Sequence, residues 1–241
     1  MAKQDSQIKA GKIAARIHLD VARSLRPGLN LLEIENQIAA AITTSGGESA
    51  FKGYKGYPAT SCLSVNSTVV HGIPFDYALR NGDVLSVDLG VKVDGWIVDC
   101  ARSYEIGRAT TSSQQLIKTT KRALDKAISL CRPGTRTGDL GNAIQKIVED
   151  ANFSVVRELT GHGVGKTLQE APNVPNFGKR DTGAVLTEGM TLAIEPIVAA
   201  SPVKLSIADD DWSIVASPKV MAAHWEDSVY ISASGPIVLT R

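Results

Sequence analysis

The sequence has little cysteine. Its 241 residues hold three, Cys62, Cys100 and Cys131, widely spaced and without a CxxC pair. That excludes zinc-finger and thioredoxin-type motifs and points to a reducing compartment, the cytoplasm. Histidine is limited to His18, His71, His162 and His224. Neither charge dominates: 26 Lys+Arg against 25 Asp+Glu leave a net +1. Without a global basic field, a nucleic-acid-binding protein is not the first reading, and no DNA partner is expected. No apolar run approaches the roughly 20 residues that span a bilayer, so no membrane is expected either. The opening MAKQDSQIKAGKIAARIHLDVARSL lacks the apolar core and small-residue cleavage site of a signal peptide. It reads instead as a helix of the fold. The remaining composition, 43% hydrophobic and 21% charged, is that of a globular chain. At this length folding removes roughly 70–75% of the unfolded surface from water, so one domain over 1–241 needs no disulfide or structural metal.

The chain echoes itself. A helical pattern over 8–25 ends at Arg26-Pro27-Gly28, and a second runs over 31–42. A third over 114–130 ends at Arg132-Pro133-Gly134, and a fourth covers 138–151. Proline and glycine after a periodic segment are stop signals. Pro27 and Pro133 are 106 apart, as are Asn36 and Asn142. The strand readings 81–88 and 188–195 then align at an offset of 107, which matches Asp88 with Glu195. This predicts an α+β fold of two pseudo-symmetric halves, roughly 1–107 and 108–241. A period this long is a duplication, not a solenoid.

Residues 83–104 read as a hairpin turning at Asp94-Gly95. Val93 then faces Trp96, and Gly90 faces Asp99. Because side chains alternate, Asp88 shares the face of Asp99, as diagonal neighbours roughly 7–8 Å apart at the backbone. Leu85, Val87, Leu89, Val91, Trp96 and Val98 take the other face, the expected core. A slip of one residue would separate the aspartates. Alone, the pair could be solvated surface acids. Glu195, at the end of an apolar strand, and Glu226, opening an expected final strand over 226–231, weigh against that. Like charges 4 Å apart repel by about 4 kcal/mol at an effective dielectric of 20. Four converging carboxylates need cations between them or raised pKa values. A pair of divalent ions meets that need, and oxygen ligands with one imidazole suit Mn, Fe, Co or Zn.

Residues 153–160 read as a strand leading into Gly161-His162-Gly163-Val164-Gly165-Lys166-Thr167. This nearly spells a P-loop, but Thr160 replaces the first glycine, and Pro172 and Pro175 forbid the helix that should follow. The alternative is a flexible glycine frame around one exposed imidazole, suited to a metal or substrate contact.

His71-Gly72-Ile73-Pro74, the Asp88/Asp99 spacing, the glycine-flanked His162, the segment 191–196 and Trp225-Glu226 together resemble the bacterial type I methionine aminopeptidases over nearly the whole chain. The resemblance implies a pita-bread fold with a two-metal site between its halves, and hydrolysis of the first peptide bond of new polypeptides. It implies Asp88 as the chelating ligand of one ion, Asp99 and Glu226 as bridging carboxylates, and His162 and Glu195 as ligands of the other. Glu195 would also shuttle the proton. His71 would contact the scissile amide, and Tyr54, Tyr57, Cys62 and Trp212 would line the methionine pocket. Cys62 reads equally as a small buried hydrophobe.

Three positions depart from the family. Gln169 replaces a substrate-contacting histidine, Leu168 a pocket phenylalanine, and Asp227 a histidine after the last glutamate. Glutamine can donate a hydrogen bond but carries no proton or charge, so a slowed enzyme is expected. The alternatives are a peptide-binding paralogue without turnover and an exopeptidase with another N-terminal preference. His18 reads as structural or exposed, and His224 as either near the site or on the surface. The basic segments 16–26 and 118–122 read as solvated helix faces, with the ribosome as the partner the resemblance suggests otherwise. A monomer is expected.

Overall fold

The Arg-Pro-Gly signals end both leading helices of the repeat. In the computed structural model, which describes residues 3–241, α1 (Lys3–Ser24) stops just before Arg26-Pro27-Gly28 and α3 (Thr111–Leu130) just before Arg132-Pro133-Gly134. Each glycine takes a positive φ, 88° at Gly28 and 93° at Gly134, which a side chain would strain. The second helix of each pair begins at equivalent points, α2 at Leu31–Thr44 and α4 at Thr137–Glu149. Asn30 caps α2, its side chain accepting from Leu32 N–H while Glu33 returns to the Asn30 N–H. At α4, Asp139 accepts from Arg136 N–H. The residues before the two helices even make matching isolated bridges, Asn30 to Ala78 and Arg136 to Val185.

Between the helix pairs run β1 (Glu48–Ser49), β2 (Ser61–Val65), β3 (Thr68–Val70) and the hairpin β4 (Val84–Val93) and β5 (Trp96–Glu105). After α4 come β6 (Ser154–Val155), β7 (Thr160–Gly163), β8 (Glu170–Pro175), β9 (Thr191–Ile194) and β10 (Ile197–Ala199). The chain then adds β11 (Lys204–Ile207), β12 (Ile214–Ser217), β13 (Ala222–His224), β14 (Asp227–Ser232) and β15 (Gly235–Val238). In one sheet β4 is paired on both sides, with β2 and β5, while β1 joins its far end. In the other the order is β15-β14-β9-β7-β8.

Each helix pair covers one sheet. Ile34, Ile38 and Val21 pack on Leu85, Leu89 and Val91 in the first half. Leu116, Leu124 and Leu140 pack on Leu192, Ile194 and Val229 in the second. A fully buried aliphatic side chain contributes about 1.5–3 kcal/mol, so these two packed faces hold the fold and leave the seam between them free to be polar. That seam forms where β5 meets the chain entering β14. Glu226 N–H donates to Ala101 O at 2.9 Å, and Ala101 N–H donates back to Glu226 O at 3.3 Å.

Two expectations are corrected, and one alternative is excluded. The strand read over 153–160 is two short strands, β6 and β7, separated by irregular chain. The strand read over 226–231 begins at Asp227 and is followed by β15, so it is not the last. The polar face of the hairpin is not a solvated surface: Asp88, Asp99, Ser86 and Ser103 are all buried. Both faces of the hairpin are interior because the second half closes over the one that carries the acids.

A candidate metal and peptide site

The hairpin register is the one the Asp94-Gly95 turn predicts, with Gly90 opposite Asp99. Asp88 therefore projects from β4 on the face shared with Asp99, and its neighbour on β2 is Cys62. Ser228 on β14 fixes the backbone of Asp99 twice. Its hydroxyl accepts from Asp99 N–H at 2.8 Å and donates to Asp99 O at 2.9 Å. Glu226 is held by its pairing to Ala101. His162 is opposite Ala193 on β9, close to Glu195, which lies just beyond the end of that strand.

These elements bring all five expected ligands to one cavity, which Asp88, Asp99, His162, Glu195 and Glu226 line together with His71 and His224. Ligand atoms of Asp99, His162 and Glu226 lie within 4.8 Å of one another. His162 Nε2 is 3.5 Å from Glu195 Oε1 and 3.9 Å from Asp99 Oδ2. His162 Nδ1 is 2.9 Å from Gly163 O. A carbonyl only accepts, so Nδ1 carries the proton and the Nε2 lone pair faces the acids. Burial, and then the charge of Lys55, hold this imidazole below its ordinary pKa, while its bond to Gly163 opposes them.

Burial raises every acid of the cluster. Asp88 is pushed well up by burial and then by Asp99 and Glu195. Burial lifts Asp99 to about 7, against hydrogen bonds from Asp88 and the Cys100 backbone. Glu195 is raised by burial and Asp99, and Glu226 by burial and by Asp99, Glu195 and Asp88. Asp88 Oδ1, Asp99 Oδ1 and Glu226 Oε1 are buried with no hydrogen-bond partner. Orphaned carboxylate oxygens are costly, and a cation removes the cost. The donor set thus fits divalent ions.

His162 corrects the expected exposed imidazole in a flexible loop. It belongs to β7 and is 7% exposed. Its flanking glycines serve close packing: a Cβ on Gly161 would meet Ala193 O at 2.4 Å and one on Gly163 would meet Ala171 O at 2.3 Å. The apparent P-loop leads not into a helix but into strand β8. His18 is structural, with its ring nitrogens against Cys100 O and Tyr104 Oη. His224 is inside the site rather than on the surface. Its Nε2 is 3.7 Å from both Glu195 and Glu226, and burial lowers its pKa to about 3. Its place two residues before Glu226 was the available signal, but the register of β13 against β10, with His224 opposite Ile197, decides it.

His71 lines the cavity from a left-handed backbone at φ 59°, a region that few residues other than glycine adopt. Tyr54, Tyr57, Cys62, Leu168 and Trp212 join one apolar cluster with Phe51, Ile97 and Val164. Tyr57 meets Trp212 edge-on, with ring centroids 5.1 Å apart. Gln169 is exposed at the cavity's edge. Phe51 and Lys55 also line the cavity; neither stands out in the sequence, since a lone phenylalanine and a lone lysine in a Gly-Tyr-rich stretch signal nothing by themselves. Asp227 points away from the cavity, into an ion pair with the buried Arg102 at 2.5 Å. Arg102 also donates to the carbonyls of Glu226, Ala101 and Thr240. Thr240 Oγ1 and Arg241 Nε complete the shell of Asp227 at 2.7 and 2.8 Å.

Comparison with known proteins agrees with this geometry. The model of metallopeptidase family M24 matches residues 6–233. The chain belongs to metallopeptidase family M24. A methionine aminopeptidase of Clostridium perfringens is 39% identical to it over 98% of this chain and 95% of that protein. One of Mycoplasma capricolum is 40% identical over 99% and 97%. The crystal structure of a methionine aminopeptidase from Thermotoga maritima superposes with a TM-score of 0.97 at 37% identity, covering 99% of this chain and 96% of that one. The M24 chain thus has the α+β pita-bread fold, and within the acid cluster Asp99, His162 and Glu226 form a candidate metal-binding group. No helix among its described residues is long and apolar enough to cross a membrane.

Proposed function

We propose that this M24 metallopeptidase removes the N-terminal methionine of polypeptides by hydrolysing the first peptide bond. The observation that carries the reading is the juxtaposition of unpartnered, buried carboxylate oxygens with an apolar wall of Tyr54, Tyr57, Cys62, Leu168 and Trp212 in one cavity. Full-length similarity to methionine aminopeptidases supports it. Asp88, Asp99, His162, Glu195 and Glu226 would hold two divalent ions of the Mn, Fe, Co or Zn class. When bound, such ions supply a Lewis acid for the scissile carbonyl and make water a stronger acid.

The protein's own groups do the rest. Tyr54, Tyr57, Cys62, Leu168 and Trp212 take the methionine side chain and exclude water from it. Glu195 takes a proton from the attacking water and returns it to the departing amine nitrogen. His71, whose pKa is held down by burial and then by His162, donates to the scissile amide. Gln169 donates from its side-chain amide to the carbonyl oxygen as that oxygen gains charge. We read the chain as one catalytic domain of two halves, 1–107 and 108–241, acting as a monomer on new chains in the cytoplasm.

The test is a peptide panel that varies the first two residues, given to chelated protein and to protein reloaded with each metal. Release of methionine from Met-Ala and Met-Gly peptides, abolished by chelator, is the expected result. Firm metal binding without release refutes the reading, and preferential cleavage of another first residue reassigns it.

A further inference from the structure

The turn Tyr54–Gly56 carries Lys55 across the mouth of the site. Lys55 itself adopts φ 49°, between Gly53 at 86° and Gly56 at 90°. Its Nζ lies 3.4 Å from Gln169 Oε1 and 5.2 Å from the centroid of the Tyr54 ring. Both Lys55 and Gln169 line the cavity.

We propose that Lys55 is the positioning residue that turns Gln169 into a directed hydrogen-bond donor. An ammonium group has three donors and no acceptor, so only the oxygen end of a glutamine amide can face it. An exposed glutamine otherwise presents either end of its amide, and the oxygen end would repel a substrate carbonyl. With Oε1 committed to Lys55, the two hydrogens on Nε2 remain for the cleft. The pair would thereby supply from a neutral side chain the donor that the family takes from an imidazole. The Tyr54 ring restrains the lysine by a cation–π contact. The inference rests on the peptide-hydrolase reading of the site.

The test uses the full chain loaded with Mn²⁺ and the peptide Met-Ala-Ser, in wild type, Lys55→Met, Lys55→Arg, Gln169→Ala and the Lys55→Met/Gln169→Ala double variant. Lys55→Met should lower kcat by roughly tenfold, at the low end of what partners of site residues are worth, with KM little changed. Lys55→Arg, which keeps the charged donor, should recover most of the loss. Gln169→Ala should cost about a hundredfold, and the double variant no more than that. An unchanged kcat in Lys55→Met, or losses that multiply in the double variant, would overturn the proposal. A second readout needs no turnover: the ¹⁵N-labelled side-chain amide signals of Gln169, recorded with diamagnetic Zn²⁺ in place of Mn²⁺ and identified by their absence in Gln169→Ala. They should move toward free-glutamine positions in Lys55→Met and return in Lys55→Arg, and signals indifferent to Lys55 overturn the proposal. If wild type releases no methionine with any metal, the functional reading fails, and this second measurement still decides whether Lys55 orients Gln169.

Discussion

The acid cluster should make metal-free protein lose stability as pH rises through the range where most proteins are insensitive to it. Asp88, Asp99, Glu195 and Glu226 all hold protons more tightly folded than unfolded, Asp99 with a value near 7 and the other three raised as well. For an acid raised on folding, the stabilising contribution is complete below the unfolded pKa near 4 and is lost as pH climbs through the folded value. Between pH 7.5 and 8.5 the unfolded carboxyls are already ionised. Each proton the folded cluster still holds therefore costs about 1.4 kcal/mol per pH unit. At 2–4 °C per kcal/mol for a chain of this size, that is a fall of about 3–6 °C in Tm per retained proton. The four histidines, all lowered by burial, are almost entirely neutral in both states here. The buried cysteines pull in the same direction as the acids, so the quantity to read is a difference. Calorimetry in chelator and in saturating Mn²⁺ should show a gap in Tm that widens from pH 7.5 to 8.5, because bound cations replace the retained protons. A gap that stays constant or narrows would show that the acids are ionised without metal, and would refute the charge-crowding argument.

Three further outcomes follow from the same geometry. Arg102→Met leaves Asp227 buried with only part of its shell and frees three carbonyls. It should cost about 3–5 kcal/mol, seen as a fall in the urea midpoint, whereas a loss under 1 kcal/mol would mean that Arg241 and Thr240 suffice. Gln169→His should raise kcat on methionyl peptides, since an imidazole adds charge to the donor; no increase would show that the missing imidazole is not what limits turnover. Cys62, Cys100 and Cys131 are buried and their thiols raised, Cys131 to about 12. None should take up iodoacetamide at pH 7.5 in native protein, and mass spectrometry finding a modified Cys62 would show that the pocket opens.

The hairpin shows how far local sequence reaches. Asp94-Gly95 fixes a two-residue turn, the turn fixes the register, and the register puts Asp88 and Asp99 on one face. His162 and His224 show where it stops. Gly-His-Gly looks like a mobile loop until β8 and β9 are seen flanking it, and the glycines prove to be spaces for carbonyls of other strands. His224 carries no periodic signal of its own, and only pairing with β10 turns it inward. No local pattern pairs Arg102 with Asp227, yet they find each other across 125 residues of chain.

The sequence by itself determined the helix ends, the repeat and the hairpin register, because stop signals, capping and alternation act over a few residues. Through family resemblance it also nominated five acid and imidazole ligands, which the fold brings to one cavity. Only the tertiary structure decided that the acids are buried, that His224 and Lys55 join them, and that Gln169 faces an ammonium group. Burial and charge proximity depend on which distant segments close over a strand, and a one-dimensional pattern carries no term for that.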